Sequence, residues 1–240
     1  MRQVICFLLI SILSTTAWAG TWREDFNVNN ILWGENPFGE MKIENGSLNV
    51  KSQIHGIIEF SIPCPLIPDD RNLKDYTLKT RISFVDLPKL EENEPQGIAL
   101  VVRQFRSAEP IIEGYIVGFL AQDFNHASRI SITKLRHLGS RLMKADELIG
   151  KDLPEPIVTG VWYDLKVVVQ GNDISFLVDQ DTEISTTDKD DPFTEGGYMF
   201  LLDSAQVMID YIELSGPDIP TLVDSRTNLT TTWGKVKDLE

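Results

Sequence analysis

Gly160-Val161-Trp162-Tyr163-Asp164-Leu165-Lys166-Val167-Val168-Val169-Gln170-Gly171-Asn172-Asp173-Ile174-Ser175-Phe176-Leu177-Val178 is the stretch whose reading decides the fold. Successive side chains of a β-strand point to opposite faces, so residues two apart share a side. Leu165, Val167 and Val169 fall together on one face of the first half, and Ile174, Phe176 and Val178 on one face of the second. Gly171-Asn172-Asp173 between them has the chemistry of a tight turn. The two halves therefore read as a hairpin with one apolar face, which needs a second layer to cover it.

The same period of two recurs upstream, where Leu78, Ile82 and Phe84 oppose Lys79, Arg81 and Ser83. Further strands are expected at Gly97–Phe105, Gly114–Ala121, Arg129–Leu135, Tyr198–Leu202 and Val207–Leu214. Shorter ones fit near Trp22–Phe26, Met41–Glu44, Ser47–Lys51 and Ile57–Phe60, with Asn45-Gly46 as a second hairpin turn. Arg141–Ile149 reads as a turn of helix, but no long 3.6-residue period occurs. Many strands divided by Gly, Pro, Asn and Asp clusters predict an all-β fold, a two-sheet antiparallel jelly-roll sandwich.

The first 19 residues read as a signal peptide. Arg2 precedes the apolar run Val4 to Leu13, and Ala17-Trp18-Ala19 before Gly20 is an A-x-A cleavage pattern. The run is shorter than the ~20 apolar residues that span a bilayer, so no membrane insertion is expected. The expected organisation is signal peptide 1–19, sandwich 20–216, and a polar tail 217–240 in which Trp233 lies near Lys235 and Lys237. The leader takes Cys6 with it and leaves Cys64, so the exported part has no internal disulfide and relies on its core.

Charge narrows the partners. The 240 residues carry 22 Lys and Arg against 36 Asp and Glu, and the leader holds Arg2 alone among these. A strongly acidic surface repels nucleic acid phosphates and anionic lipid headgroups, while neutral sugars, cations and basic partners remain open. Solubility outside the cell accounts for the charge without any partner. A secreted or periplasmic location and a glycan or cell-surface ligand are the expectation.

The order of segments resembles the concanavalin A-like and laminin-G-like domains. Thr77–Ile82, then Gly97–Arg103, then Gly114–Val117 is similar to the middle of these domains, Gly160–Asn172 to their strand and turn, and Gly196–Leu214 to their closing strands. The resemblance implies an exported carbohydrate-facing or adhesive binding module, since this fold hosts lectins, hydrolases, lyases and adhesion domains alike. The E-x-D-x-x-E strand of laminarinase-like retaining hydrolases, which sets two carboxylates on one face, has no counterpart. Glu91-Glu92-Asn93-Glu94 has the wrong spacing. Gln53-Ile54-His55 matches an alginate-lyase tripeptide without its companion motifs. His55, His126 and His137 are too scattered for a zinc site.

A second implication is a glycoside-cleaving enzyme similar to the secreted 3-keto-disaccharide hydrolase-like group. Arg103 matches its S-G-I-x-x-R strand and Gly114-Tyr115 its G-Y-E-x-Q pattern, but the polar pair of that pattern is Ile116 and Gly118 here. For binding, Arg81, Arg103 and Arg129 are expected to share the ligand-facing side of one sheet, where guanidinium groups grip sugar carboxylates bidentately. The alternative is that these side chains cover apolar surface and pair with acids. For a cofactor, Ile209-Asp210-Tyr211-Ile212-Glu213-Leu214 resembles the closing strand that binds a structural Ca²⁺ in laminarinase-like relatives. The resemblance gives Asp210 the carboxylate, pointing between the sheets, and Glu24 and Gly46 the backbone carbonyls, oxygen donors of the kind Ca²⁺ takes. Without a metal, Asp210 would cap a turn.

Overall fold

The computed structural model describes residues 20–27, 39–53, 57–60, 72–90, 95–106, 112–123, 127–137 and 143–220. The expected leader 1–19, His55, Cys64, Glu91–Glu94, His126 and the chain beyond 220 lie outside the described residues. The described residues form fourteen strands. They are β1 (Gly20–Glu24), β2 (Gly39–Glu44), β3 (Ser47–Ser52), β4 (Ile57–Phe60), β5 (Tyr76–Asp86), β6 (Gln96–Arg106) and β7 (Ile112–Gln122). The chain continues through β8 (Arg129–His137), β9 (Met143–Asp152), β10 (Trp162–Gln170), β11 (Asp173–Val178), β12 (Thr182–Thr187), β13 (Gly197–Asp203) and β14 (Gln206–Gly216).

These strands make two antiparallel sheets, the expected all-β jelly-roll sandwich. One sheet runs β12-β11-β10-β5-β14-β3-β2, with β1 also on β14, and the other β4-β13-β6-β7-β8-β9. The β10–β11 hairpin pairs Val167 with Phe176 and Val169 with Ile174. All six of its apolar positions are buried between the sheets, together with Leu78, Ile82 and Phe84. From the other sheet Leu100, Val102, Val117, Phe119, Ile132 and Phe200 meet them. Alternation alone carried this part of the reading, because both faces of the contact are regular.

Three features depart from the sequence reading. Residues 143–152 are strand, not helix, paired along β8, with a bulge at Ile132/Thr133. Leu148 and Ile149, adjacent in sequence, both pack against the core there, which breaks the period of two. β12 was not anticipated, since Ile184 is its single buried apolar residue. The third departure is in β14. Ile209 pairs with Ile82 but Tyr211, not Asp210, pairs with Arg81, so Asp210 is the extra residue of a bulge. Ile209 and Ile212 are both fully buried, and Asp210 is turned outward with 42% of its side chain exposed. A bulge shifts the alternation by one residue, so the expected inward carboxylate does not occur.

The packed body also extends past residue 216. Ile219 is buried in the core, and its N–H donates to the Gly216 carbonyl at 3.2 Å. The Asp218 carboxylate accepts from the Lys74 N–H at 3.2 Å.

Candidate functional site

The three arginines do not form one row. Arg81 is on β5 in the eight-stranded sheet, whereas Arg103 on β6 and Arg129 on β8 belong to the six-stranded sheet. The chain changes sheets between β5 and β6, which strand-by-strand alternation does not reveal.

Arg103 is buried, with 1% of its side chain exposed. It lies in the bulge of β6 against β7, with φ at 50°. Its guanidinium donates to the carbonyls of Phe193 and Lys74, its Nη2 stands 3.7 Å from Asp75, and its Nε has no acceptor. Burial lowers its pKa, opposed by Tyr76, Tyr115 and Asp75. A Cβ on Gly196 would lie 2.4 Å from the Arg103 carbonyl carbon, so only glycine lets the two segments pass this closely. Arg103 is thus a tie between the segments that precede β5 and β13. Arg129 lies over Gly150, donates to Glu147 at 2.8 Å and Asp152 at 2.5 Å, and has Asp123 at 3.9 Å. The bonds to Glu147 and Asp152 raise its pKa. Its fork is committed to acids of its own chain.

Arg81 differs from both. It is 45% exposed and stands 3.9 Å from Asp164 and 4.0 Å from Asp210, beyond hydrogen-bond reach, with its Cζ 5.6 Å from the centre of the Trp162 ring. Among the described residues it donates no hydrogen bond. Cross-strand register builds the surroundings on the outer face of the sheet: Arg81 is opposite Asp164 on one side and Tyr211 on the other, and Ser83 is opposite Trp162 and Met208. Tyr211 carries Arg23 over its ring at 3.8 Å, and Glu213 accepts from Lys79 at 2.7 Å. Burial is the main cause raising the Tyr211 pKa, with the Asp164 charge adding to it. At the Trp162 end Val85, Val158 and Val161 are exposed. Ser83 is buried and its hydroxyl has no hydrogen-bond partner among the described residues. The result is an open aromatic and polar platform. Further along the same sheet a groove of about 460 Å³ is lined by Gln170, Asp173, Ser175, Ser185, Thr186 and Thr187, with Val168.

A second polar cluster is sealed inside. Lys134 and Asp188 form an ion pair with side chains 4% and 3% exposed. The Lys134 ammonium also donates to the carbonyls of Asp190 at 2.7 Å and Asp191 at 2.8 Å. Tyr115 donates to Asp188 at 2.7 Å and accepts from the Phe193 N–H at 3.0 Å. Burial raises the Tyr115 pKa strongly, helped by its bond to Asp188. Every donor of the ammonium is used, so this is an internal strut. Arg103 and Tyr115, which carry the likeness to the keto-disaccharide group, are therefore both buried and committed.

β1 pairs with β14 as far as Glu24 opposite Ile212, and β3 pairs with β14 from Ile209 opposite Leu48. Asp210 falls in the gap between them. The Glu24 carboxylate caps the Phe26 N–H at 2.9 Å. Among the described residues no three His, Cys, Asp or Glu side chains converge on a metal position. A donor set of one carboxylate and two carbonyls has the oxygen chemistry of a calcium site, but Arg81 competes for the carboxylate.

No family model and no curated protein matches the chain. Solved structures do. A Bacillus subtilis protein of unknown function with a galectin-like fold superposes with TM-score 0.57 at 10% identity, over 80% of this chain and 94% of that one. A Bacteroides ovatus mixed-linkage glucan GH16 protein in complex with its product gives 0.54 at 6% identity, over 80% and 99%. The carbohydrate recognition domain of Emp46p gives 0.51 at 10% identity, over 73% and 85%. The fold is a concanavalin A/galectin-like β-sandwich.

Of the residues in the platform, the sequence reading named Arg81 and Asp210 for separate roles and missed the rest. Trp162 and Asp164 were legible as outward-facing, since they alternate with Leu165. Tyr211 was not, because the bulge sets its direction.

Proposed function

We propose that this chain is an exported carbohydrate-binding module whose binding face is the platform around Arg81 on the eight-stranded sheet. The observation that carries it is an exposed guanidinium without hydrogen bonds among the described residues, flanked by Trp162 and Tyr211 and by two carboxylates. Sugars present C–H faces and hydroxyl edges. Aromatic rings supply rigid apolar contact, and a few convergent polar groups fix orientation. The acidic surface disfavours polyanionic partners. The carbohydrate recognition domain and the mixed-linkage glucan GH16 protein of the same fold are consistent with this reading. Binding is preferred over glycoside cleavage because Arg103 and Tyr115 are consumed by internal bonds. A cell-surface glycan is the natural ligand for an exported module; a structural Ca²⁺ at Asp210, Glu24 and Gly46 is the competing use of the Asp210 carboxylate.

A glycan array with product analysis on its hits tests the function. Saturable binding without product, lost in Trp162→Ala, is the expected result. Product release would support the cleaving enzyme instead, and binding untouched by Trp162→Ala would remove the platform from the account.

A further inference from the structure

The platform's own charges specify which sugars it takes. We infer that its ligand is a neutral glycan presenting vicinal hydroxyls, not an acidic one; this rests on the carbohydrate-binding reading above. Arg81 by itself would suit a carboxylate, since its fork matches carboxylate geometry. It is not by itself. Asp164 and Asp210 stand 3.9 and 4.0 Å from it on opposite sides, both on the exposed face. One cation between two anions leaves the immediate surroundings of Arg81 net negative, and the nearby Lys79 and Arg23 are matched by Glu213 and Asp25, so they add no positive charge to spare. An incoming uronate or sialate carboxylate would meet two like charges within a few ångströms of the guanidinium, an arrangement that disfavours its ionised form.

A pair of hydroxyls meets the opposite situation. Each hydroxyl both donates and accepts. Toward Arg81 the hydroxyl oxygens accept from N–H groups that make no hydrogen bond among the described residues, and toward Asp164 and Asp210 the hydroxyl protons find strong acceptors. The spacing near 4 Å is too long for the protein's own hydrogen bonds and leaves those lone pairs and donors open. Trp162 lies beside them to take the apolar face of the ring.

The contrast with the other two arginines supports the assignment. Arg129 also sits among carboxylates, but at 2.5 and 2.8 Å, with its hydrogen bonds already made. Arg103 is buried. Only Arg81 of the three combines exposure, open donors and flanking acceptors.

The test uses a printed array carrying neutral hexose oligosaccharides beside uronate- and sialate-containing ones, probed with wild type, Trp162→Ala and the double variant Asp164→Asn/Asp210→Asn. All three substituted positions are exposed or half-buried, so folding, checked by circular dichroism, is retained. The inference expects neutral glycans bound, with affinity falling about tenfold or more in the double variant as two charged acceptors are lost. Acidic glycans bound by wild type and more tightly by the double variant would overturn the ligand class while leaving the platform in place. No glycan bound, or equal binding by Trp162→Ala, would overturn the carbohydrate-binding reading and the inference with it.

Discussion

Replacing Lys134 by Met removes a buried ammonium while keeping most of its stem volume. The ammonium spends its three donors on the Asp188 carboxylate and on the carbonyls of Asp190 and Asp191. Arg136 donates to both of those carbonyls, at 2.6 and 2.7 Å, so they keep a partner. Asp188 does not fare as well. It retains Tyr115 and the Asp190 N–H, at 2.7 and 3.1 Å, but loses the only cation paired with it among the described residues. Removing one partner of a buried ion pair costs about 3–5 kcal/mol. In a domain of this size each kcal/mol moves the melting midpoint by ~2–4 °C, so a fall of roughly 6–20 °C is expected for Lys134→Met. Adding Asp188→Asn removes the stranded charge, and the double variant should be more stable than the sum of the two single losses by about 0.5–3 kcal/mol. Acidity gives a second readout. Burial pushes the Asp188 carboxyl up, but the bonds from Lys134, Tyr115 and the Asp190 N–H outweigh it and hold the pKa below the usual value. A depressed carboxylate stabilises the fold above its unfolded pKa of ~3.9, and that stability is lost as pH falls through the lower folded value. Wild type should therefore lose stability below about pH 4, and Lys134→Met should show less of that loss. Urea denaturation from pH 2 to 7 measures both. A Lys134→Met cost under about 1 kcal/mol, or strictly additive singles, would refute the strut.

Two further outcomes follow from the same geometry. Arg103→Lys should lose at least about 1.5 kcal/mol, because one ammonium cannot span the Phe193 and Lys74 carbonyls from the same position; thermal melts followed by circular dichroism measure it. If Asp210, Glu24 and Gly46 hold Ca²⁺, millimolar calcium should raise the wild-type midpoint relative to excess chelator by the equivalent of about 2.7 kcal/mol at a hundredfold excess over Kd. The rise should vanish in Asp210→Asn, and an unchanged wild-type midpoint would retire the metal.

The fold was legible where the pattern is local and regular. Leu165 to Val169 and Ile174 to Val178 each alternate without interruption, so their core face could be read directly and is the one observed. What the sequence hid were events between strands. The bulge at Asp210 depends on which residue of β5 it faces, and nothing in Ile209–Leu214 marks the skip. The assignment of β5 and β6 to different sheets separated Arg81 from Arg103 and Arg129 although all three look alike on their strands. Lys134 shares the inward face of β8 with Ile130 and Ile132, but its partner Asp188 lies 54 positions away, a pairing visible only in three dimensions.

Hydrogen–deuterium exchange with and without the strongest glycan from the array tests the binding face most directly. The account predicts slowed exchange in the strands that carry Arg81, Trp162 to Asp164 and Asp210 to Tyr211, with little change across the six-stranded sheet. Slowing confined to β6, β7 and β13, whose outer face carries Val101, Ile116 and Met199, would place the ligand on the other side of the sandwich and contradict it.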